Sequence, residues 1–212
     1  PAHWPVIAED SHINFKMVHA VQVSRPELAD MIQQWNPNVA VFPNMIDRLH
    51  PLNSEARQSE GLRMFFGALN REKDWEPLMD DLNAVFRAAP EFWSVSVVHD
   101  RQFFEALDLP NSQKTFLPMC SHADYIKVMS SCDFAFLPLA HTRFNHFKSD
   151  IKALEAAANG LSVLASHVVY GASVRPGETG ELFHTTSELV AHLNAWRANP
   201  TVVREMGLKG RQ

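Results

Sequence analysis

The sequence lacks the features that mark several large protein classes. It holds only two cysteines, Cys120 and Cys132, and neither belongs to a CxxC pair. This usage favours reduced thiols in a reducing, cytoplasmic compartment over a disulfide framework. No run approaches the about 20 apolar residues of a membrane-spanning helix, and no charged start followed by an apolar block marks a secretion signal.

Three familiar site motifs are missing as well. No GxGxxG follows a predicted strand, no GxxxxGK[ST] occurs, and there is no GxSxG. The first two absences weaken a dinucleotide dehydrogenase and a P-loop enzyme, and the third removes the usual nucleophile elbow. Any phosphate site must therefore be built in another way.

The composition is that of an ordinary globular protein. Of 212 residues 46% are hydrophobic and 20% are charged, which excludes disorder, collagen-like repeats and coiled coil as the main structure. The 19 basic and 24 acidic residues leave a net charge of −5. This mild acidity argues against nucleic acid as a partner, because such a partner requires a concentrated positive face.

Short apolar runs alternate with amphipathic ones from about residue 60 onward. Strands are predicted at 62–67, 92–98, 115–118, 134–139 and 161–165. Helices are predicted at 75–89, 102–107, from a cap at Ser121, from a cap at Ser149 to Asn159-Gly160, and at 186–198 and 200–206. This rhythm predicts an α/β fold with a doubly wound, mostly parallel, Rossmann-like sheet, whose ligands bind at the carboxyl ends of the strands.

The first quarter of the chain follows a different pattern. A strand is expected at 16–23, a helix at 25–35 and a strand at 39–42, followed by a polar, linker-like stretch at 52–61. We interpret 1–50 as the end of a preceding domain or linker elements, and 51–212 as the Rossmann-like domain.

Charged side chains stand where the predicted strands end. Gly67 closes a strand, and Arg71 and Lys73 follow where the next helix opens. Cations beside a helix N-terminus are unfavourable unless an anion joins them, so the arrangement suits a phosphate, although a solvated turn is an alternative. Glu155 stands among small apolar residues and needs a partner if it is buried. The alternative is an exposed Glu155 paired with Lys152.

Two histidines, His141 and His146, flank the polar loop at 140–148. A metal site is not expected there, because few other ligand types lie close to them in sequence. We interpret them as neutral loop histidines or as a proton shuttle.

Five stretches, taken in order, resemble the C-terminal, donor-binding half of retaining glycosyltransferases with two Rossmann-like halves, the GT-B group 1 or family 4 type. They are spread over about three-quarters of the chain. They are 41–47 (similar to PNGVD), 65–67 with Lys73 (FVGR…KG), 130–138 (ADVFVLPS), 154–166 (LEAMACGLPVVAS) and 177–183 (GENGLLF).

The resemblance implies roles for individual residues. Lys73 would bind the diphosphate of a UDP- or GDP-linked sugar with Gly67 and Arg71, and Glu155 would bind the ribose. Lys73 and the Glu155 helix are thus expected to rim one pocket. No metal and no cofactor beyond this nucleotide-sugar co-substrate is implied.

The sequence departs from the family at two positions. Phe147 stands where the family has its first acid, and Ala68 stands where the family has the arginine that follows the first glycine. We expect Arg71 or Lys148 to replace the lost positive charge, and Asp150 to contact the sugar. Lys148 and Asp150 are therefore the candidate catalytic residues.

The resemblance also implies partners. An acceptor-binding half would precede residue 1, and any peripheral membrane contact would be made through that absent half. Two alternatives remain open: a degenerate transferase-like domain that serves as a binding module, and an epimerase or phosphorylase of the same architecture.

Overall fold

The computed structural model describes residues 12–47, 49, 51–52 and 59–212. The first of these segments forms a small unit whose elements are α1 (Ile13–Met17), β1 (Val21–Val23), α2 (Pro26–Ile32) and β2 (Val39–Val41). β1 and β2 pair in parallel with each other and do not join the main sheet. The predicted strand at 16–23 is wrong over its first part, because Ile13–Met17 is helical.

The main sheet has six strands, which are all parallel. They are β3 (Leu62–Gly67), β4 (Trp93–Val98), β5 (Lys114–Leu117), β6 (Phe134–Leu137), β7 (Ser162–Ser166) and β8 (Gly180–Phe183). Their order is β5-β4-β3-β6-β7-β8, so the chain first builds outward from β3 and then returns to build outward on its other side. The predicted doubly wound parallel sheet is confirmed.

Helices connect the strands and cover both faces of the sheet. They are α3 (Glu72–Trp75), α4 (Met79–Arg87), α5 (Arg101–Ala106), α6 (His122–Ser130), α7 (Arg143–His146), α8 (Ile151–Ala158), α9 (His167–Tyr170), α10 (Thr186–Ala198) and α11 (Pro200–Gly210). None of the helices in the described part of the chain has the length and apolar character needed to cross a membrane.

Each face of the sheet has its own core. On one face Phe66, Phe103 and Phe136 pack together, and the Phe66 and Phe103 rings stack with centroids 3.7 Å apart. On the other face Phe65 packs with the small residues of α8. Adjacent residues of β3 thus point into opposite cores, which is why the strand is apolar from Met64 to Phe66.

Several helix boundaries differ from the sequence prediction. The helix expected at 75–89 is divided, because Pro77 lies in a 3-10 turn between α3 and α4. The helix expected at 200–206 continues to Gly210. The short helices α7 and α9 fall within stretches that the sequence pattern marks as loops.

The start of α8 also differs from the prediction. Its N-cap residue is Asp150, not Ser149, and no side chain caps the helix there. The Asp150 carboxylate instead accepts a hydrogen bond from the Ser173 hydroxyl. The carboxylate is therefore occupied by a neighbouring loop, and the helix start is left without a side-chain cap.

Asp133 ties the amino ends of the central strands to α11. Its side chain is 2% exposed and accepts hydrogen bonds from the Arg63 backbone N–H (2.8 Å) and from Arg204 Nε (2.9 Å). Arg204 also donates to the carbonyl oxygens of Ser59 and Gly61. One carboxylate thus orders the entry to β3 and β6, the two strands whose far ends form the site described below.

We predict that Asp133→Ala lowers the free energy of unfolding by about 3 kcal/mol, because it leaves Arg204 Nε and the Arg63 backbone N–H without their acceptor. Urea denaturation measures the change. Asp108→Ala is the matched control. Its ion pair with Arg87 is exposed, so the expected loss is below about 1 kcal/mol. Equal losses in the two variants would contradict this account of Asp133.

Candidate functional site

A cavity of about 210 Å³ opens at the carboxyl ends of β3 and β6. These neighbouring strands mark the point where the strand order reverses, which is where open α/β sheets leave a crevice for ligands. The walls of this central cavity come from the end of β3, the loop after β6, the start of α8 and the buried Tyr170.

Lys152, in the first turn of α8, reaches across to β3. Its Nζ donates a hydrogen bond to the carbonyl oxygen of Gly67 at 2.6 Å. Burial lowers the pKa of Lys152 from 10.5 to about 8, and the charge of nearby Arg71 acts in the same direction. A side chain at Gly67 would clash, since a Cβ there would lie 2.7 Å from the Tyr125 ring.

Two more cations line the central cavity and share one carboxylate. Asp74 is 7% exposed, and its Oδ2 lies 3.3 Å from Arg71 and 3.8 Å from Lys148 Nζ. Its Oδ1 accepts hydrogen bonds from the Ala140 N–H and the Asn145 side-chain amide. Lys148 Nζ is buried and makes no hydrogen bond within the described part of the chain.

The central cavity therefore presents three cations, Arg71, Lys148 and Lys152, against one buried carboxylate. The uncapped start of α8 adds backbone N–H groups and the positive end of the helix dipole. Both features favour a bound anion, and together they fit a phosphate group.

Glu155 lies one helical turn beyond Lys152 and faces a second cavity of about 220 Å³. Its side chain is 21% exposed, and its Oε1 lies 3.2 Å from His122 Nε2. Residues 45–47 lie on the other side of this Glu155 cavity, and Ile151 lines both it and the central cavity. Glu155 is thus neither on an exposed stripe nor paired with Lys152, which turns toward Gly67.

Lys73 is exposed on α3 and does not line the central cavity. It lines a cavity of about 240 Å³ with Asn70 and Arg71, and a cavity of about 330 Å³ with four histidines. The structure therefore places Lys73 and the Glu155 helix on different cavities and does not bring them together in one pocket. The binding roles expected of Lys73 and Glu155 stay predictions. Within the described ranges, no three His, Cys, Asp or Glu side chains are placed to hold a metal ion.

The structure brings together three of the predicted residues, Gly67, Arg71 and Lys148, at the central cavity. Sequence reasoning missed Lys152 as a site residue, and it missed Asp74, which holds Arg71 and Lys148. A signal for Lys152 was present. It falls in the first turn of the helix that follows the β6 loop, and ligands of parallel sheets bind where such loops lead into helices.

Residues 79–212, more than half of the chain, match a family described as "Glycosyl transferase-like". None of the curated proteins matches the sequence.

Solved structures match over nearly the whole chain. TarM from S. aureus is 11% identical, with a TM-score of 0.72, and the match covers 96% of this chain and 42% of TarM. Sucrose-phosphate synthase from Thermosynechococcus elongatus is 19% identical, with a TM-score of 0.66, and the match covers 95% of this chain and 54% of the synthase. HepE from Anabaena, in complex with UDP and glucose, is 17% identical, with a TM-score of 0.71, and the match covers 99% of this chain and 64% of HepE. The chain thus spans less than two thirds of the length of each. At these identities the likeness shows the fold.

We predict that Lys152 makes the protein more stable as the pH rises from 8 toward 10.5. In this window the unfolded chain keeps the proton that folded Lys152 has released, so the free energy of unfolding rises by up to about 1.4 kcal/mol per pH unit. Urea denaturation of the wild type and of Lys152→Met isolates this contribution. The free energy of unfolding of the wild type minus that of the variant should rise with pH. A difference that stays constant from pH 7 to 10 would contradict the lowered pKa.

Proposed function

The chain belongs to the glycosyl transferase-like family, in agreement with the resemblance in its sequence, and we propose that it is the donor-binding part of a glycosyltransferase. In this proposal it binds a UDP- or GDP-linked sugar, and the sugar is transferred with retention of configuration to an acceptor held by another part of the protein. No metal ion is needed, because fixed cations of the chain neutralise the diphosphate.

The observation that carries this proposal is the cluster of Arg71, Lys148 and Lys152 at the uncapped start of α8. A diphosphate in the central cavity would meet all three cations. The adjoining Glu155 cavity then receives the ribose, whose hydroxyls donate to Glu155. Ile151 lines both cavities, so one extended ligand can occupy the two.

The same cations suit the chemistry of the transfer. Negative charge grows on the diphosphate as its bond to the sugar breaks, and preorganised donors stabilise that charge without reorganisation. We assign this role to Lys148, whose buried ammonium group has no hydrogen-bond partner within the described ranges. Asp150 is proposed to contact the sugar through Oδ1, since it stands at the start of the same helix and the Ser173 hydroxyl bonds to Oδ2.

A binding module without activity is the alternative, motivated by Phe147 and Ala68. The position of Lys152 favours the enzyme. Ala68 carries no charge, but the Lys152 ammonium group lies against the carbonyl of the preceding residue, Gly67. A positive charge is thus supplied at the end of β3 by a different element. Transfer of sugar by the parent protein from any nucleotide sugar would exclude the inactive module.

We predict that the wild type binds UDP or GDP and that Lys148→Met and Lys152→Met each weaken binding about tenfold or more, since each removes a charge-assisted contact. Isothermal titration calorimetry measures the dissociation constants. Lys209→Met is the matched control. Lys209 is exposed on α11, which packs against the start of β7, at the amino ends of the strands and away from the central cavity. Its substitution should leave nucleotide binding unchanged. No binding at millimolar nucleotide, or equal effects of all three substitutions, would contradict the proposal.

A second prediction separates ribose from phosphate recognition. Glu155→Gln should weaken UDP binding about tenfold and leave the binding of inorganic pyrophosphate unchanged, because Glu155 faces the neighbouring cavity. Glu178→Gln, in an exposed ion pair with Arg175, should alter neither. Should Glu155→Gln weaken UDP and pyrophosphate equally, the assignment of Glu155 to the ribose would fail.

A further inference from the structure

The cavity of about 330 Å³ beside α3 has an unusual lining. Four histidines, His141, His146, His167 and His184, surround it, and Lys73, Asp74 and Ser166 complete its polar wall. We call this group of residues the histidine pocket. It lies at the carboxyl ends of β6, β7 and β8 and shares Leu139 with the central cavity.

The histidines of the histidine pocket form two close pairs. His141 and His146 face each other with their Nε2 atoms 3.2 Å apart. The rings of His167 and His184 stack with centroids 4.6 Å apart and an interplanar angle of 25°. The loop after β6, the start of α9 and the residue after β8 therefore all direct imidazoles to one place.

The charged residues that line the histidine pocket favour a bound anion. Asp74 is the one acid among its lining residues, and both carboxylate oxygens already have partners, Ala140 and Asn145 on Oδ1 and Arg71 on Oδ2. Lys73 can only donate hydrogen bonds, and each imidazole offers an N–H donor in either tautomer. Because Asp74 is already bonded, Lys73 is the charge of the lining that is left for a ligand, and a carboxylate neutralises it whereas a neutral sugar does not.

The remaining walls suit a sugar ring. Pro77, Leu78, Val168 and Phe183 supply an apolar surface on which the C–H groups of a pyranose can pack. The volume is at the lower end of the range for small-molecule pockets and fits one ring rather than a nucleotide. The shared wall at Leu139 places such a ring next to the central cavity.

We propose that the histidine pocket binds the carboxylate of an acidic sugar, a hexuronate, with Lys73 and the imidazoles as donors. The carboxylate belongs either to the sugar of the donor or to an acidic sugar of the acceptor. The first source rests on the proposed function, whereas binding of a free hexuronate does not.

The test compares two matched ligand pairs on the full chain: glucuronate against glucose, and UDP-glucuronate against UDP-glucose. Dissociation constants come from NMR titration or calorimetry. The acidic sugar should bind about tenfold more tightly than the neutral one in at least one pair, because charge-assisted hydrogen bonds are involved. A preference in the UDP-linked pair assigns the carboxylate to the donor, and a preference in the free pair alone assigns it to the acceptor.

Substitutions connect the preference to the histidine pocket. Lys73→Met and His146→Gln should each reduce it, and the double variant should abolish it. His19→Gln, an exposed histidine outside all the cavities described above, should retain it. Melting curves establish that each variant is folded.

Two results would overturn the inference: equal affinities for acidic and neutral sugars in both pairs, or a preference that survives the double variant. The failure of the proposed function is distinguishable. It would show as absent UDP binding, and the free glucuronate and glucose pair would then still decide whether the histidine pocket takes a carboxylate.

Discussion

A buried ammonium group holds the candidate site together. Lys152 Nζ bonds the Gly67 carbonyl and so fixes the start of α8 against the end of β3, across the point where the strand order reverses. Burial of the ammonium group is costly. It disfavours the charged form in the absence of a ligand and lowers the pKa of Lys152 to about 8. The fold tolerates a charge here that a bound anion would stabilise, and such a conflict is typical of a functional position.

The fold was largely predictable, because it depends on periodicity. The strands from β3 to β7 begin and end within two residues of the predicted ranges, and the helices between them carry one apolar face. The errors have physical causes. Pro77 interrupts a helical pattern of apolar residues that continues on both sides of it. Capping rules predict Ser149 as the N-cap of α8, but the N-cap is Asp150, whose side chain accepts a hydrogen bond from Ser173. Neither the Ser173 contact nor the helical start at Ile13–Met17 could be predicted from local sequence.

The candidate site was less predictable, because its charges come from separate elements. Arg71 lies in the loop after β3, so strand-end reasoning finds it. Lys152 lies within a helix, and only the packing of α8 against β6 and β7 decides that it turns toward the end of β3 while Glu155 faces another cavity. Lys73 shows the opposite case: it matches the family motif in sequence, yet α3 directs it toward the four histidines.

Asp74 explains how two of the three cations, Arg71 and Lys148, can lie together before any ligand arrives. Its Oδ1 is held by Ala140 and Asn145, so its Oδ2 stays directed at Arg71 and near Lys148. The distances of 3.3 and 3.8 Å are long for charge-assisted bonds, so neither cation is fully satisfied. An entering phosphate can therefore form shorter contacts without breaking a strong one. A single carboxylate thus positions the cations and leaves most of their binding capacity to the ligand.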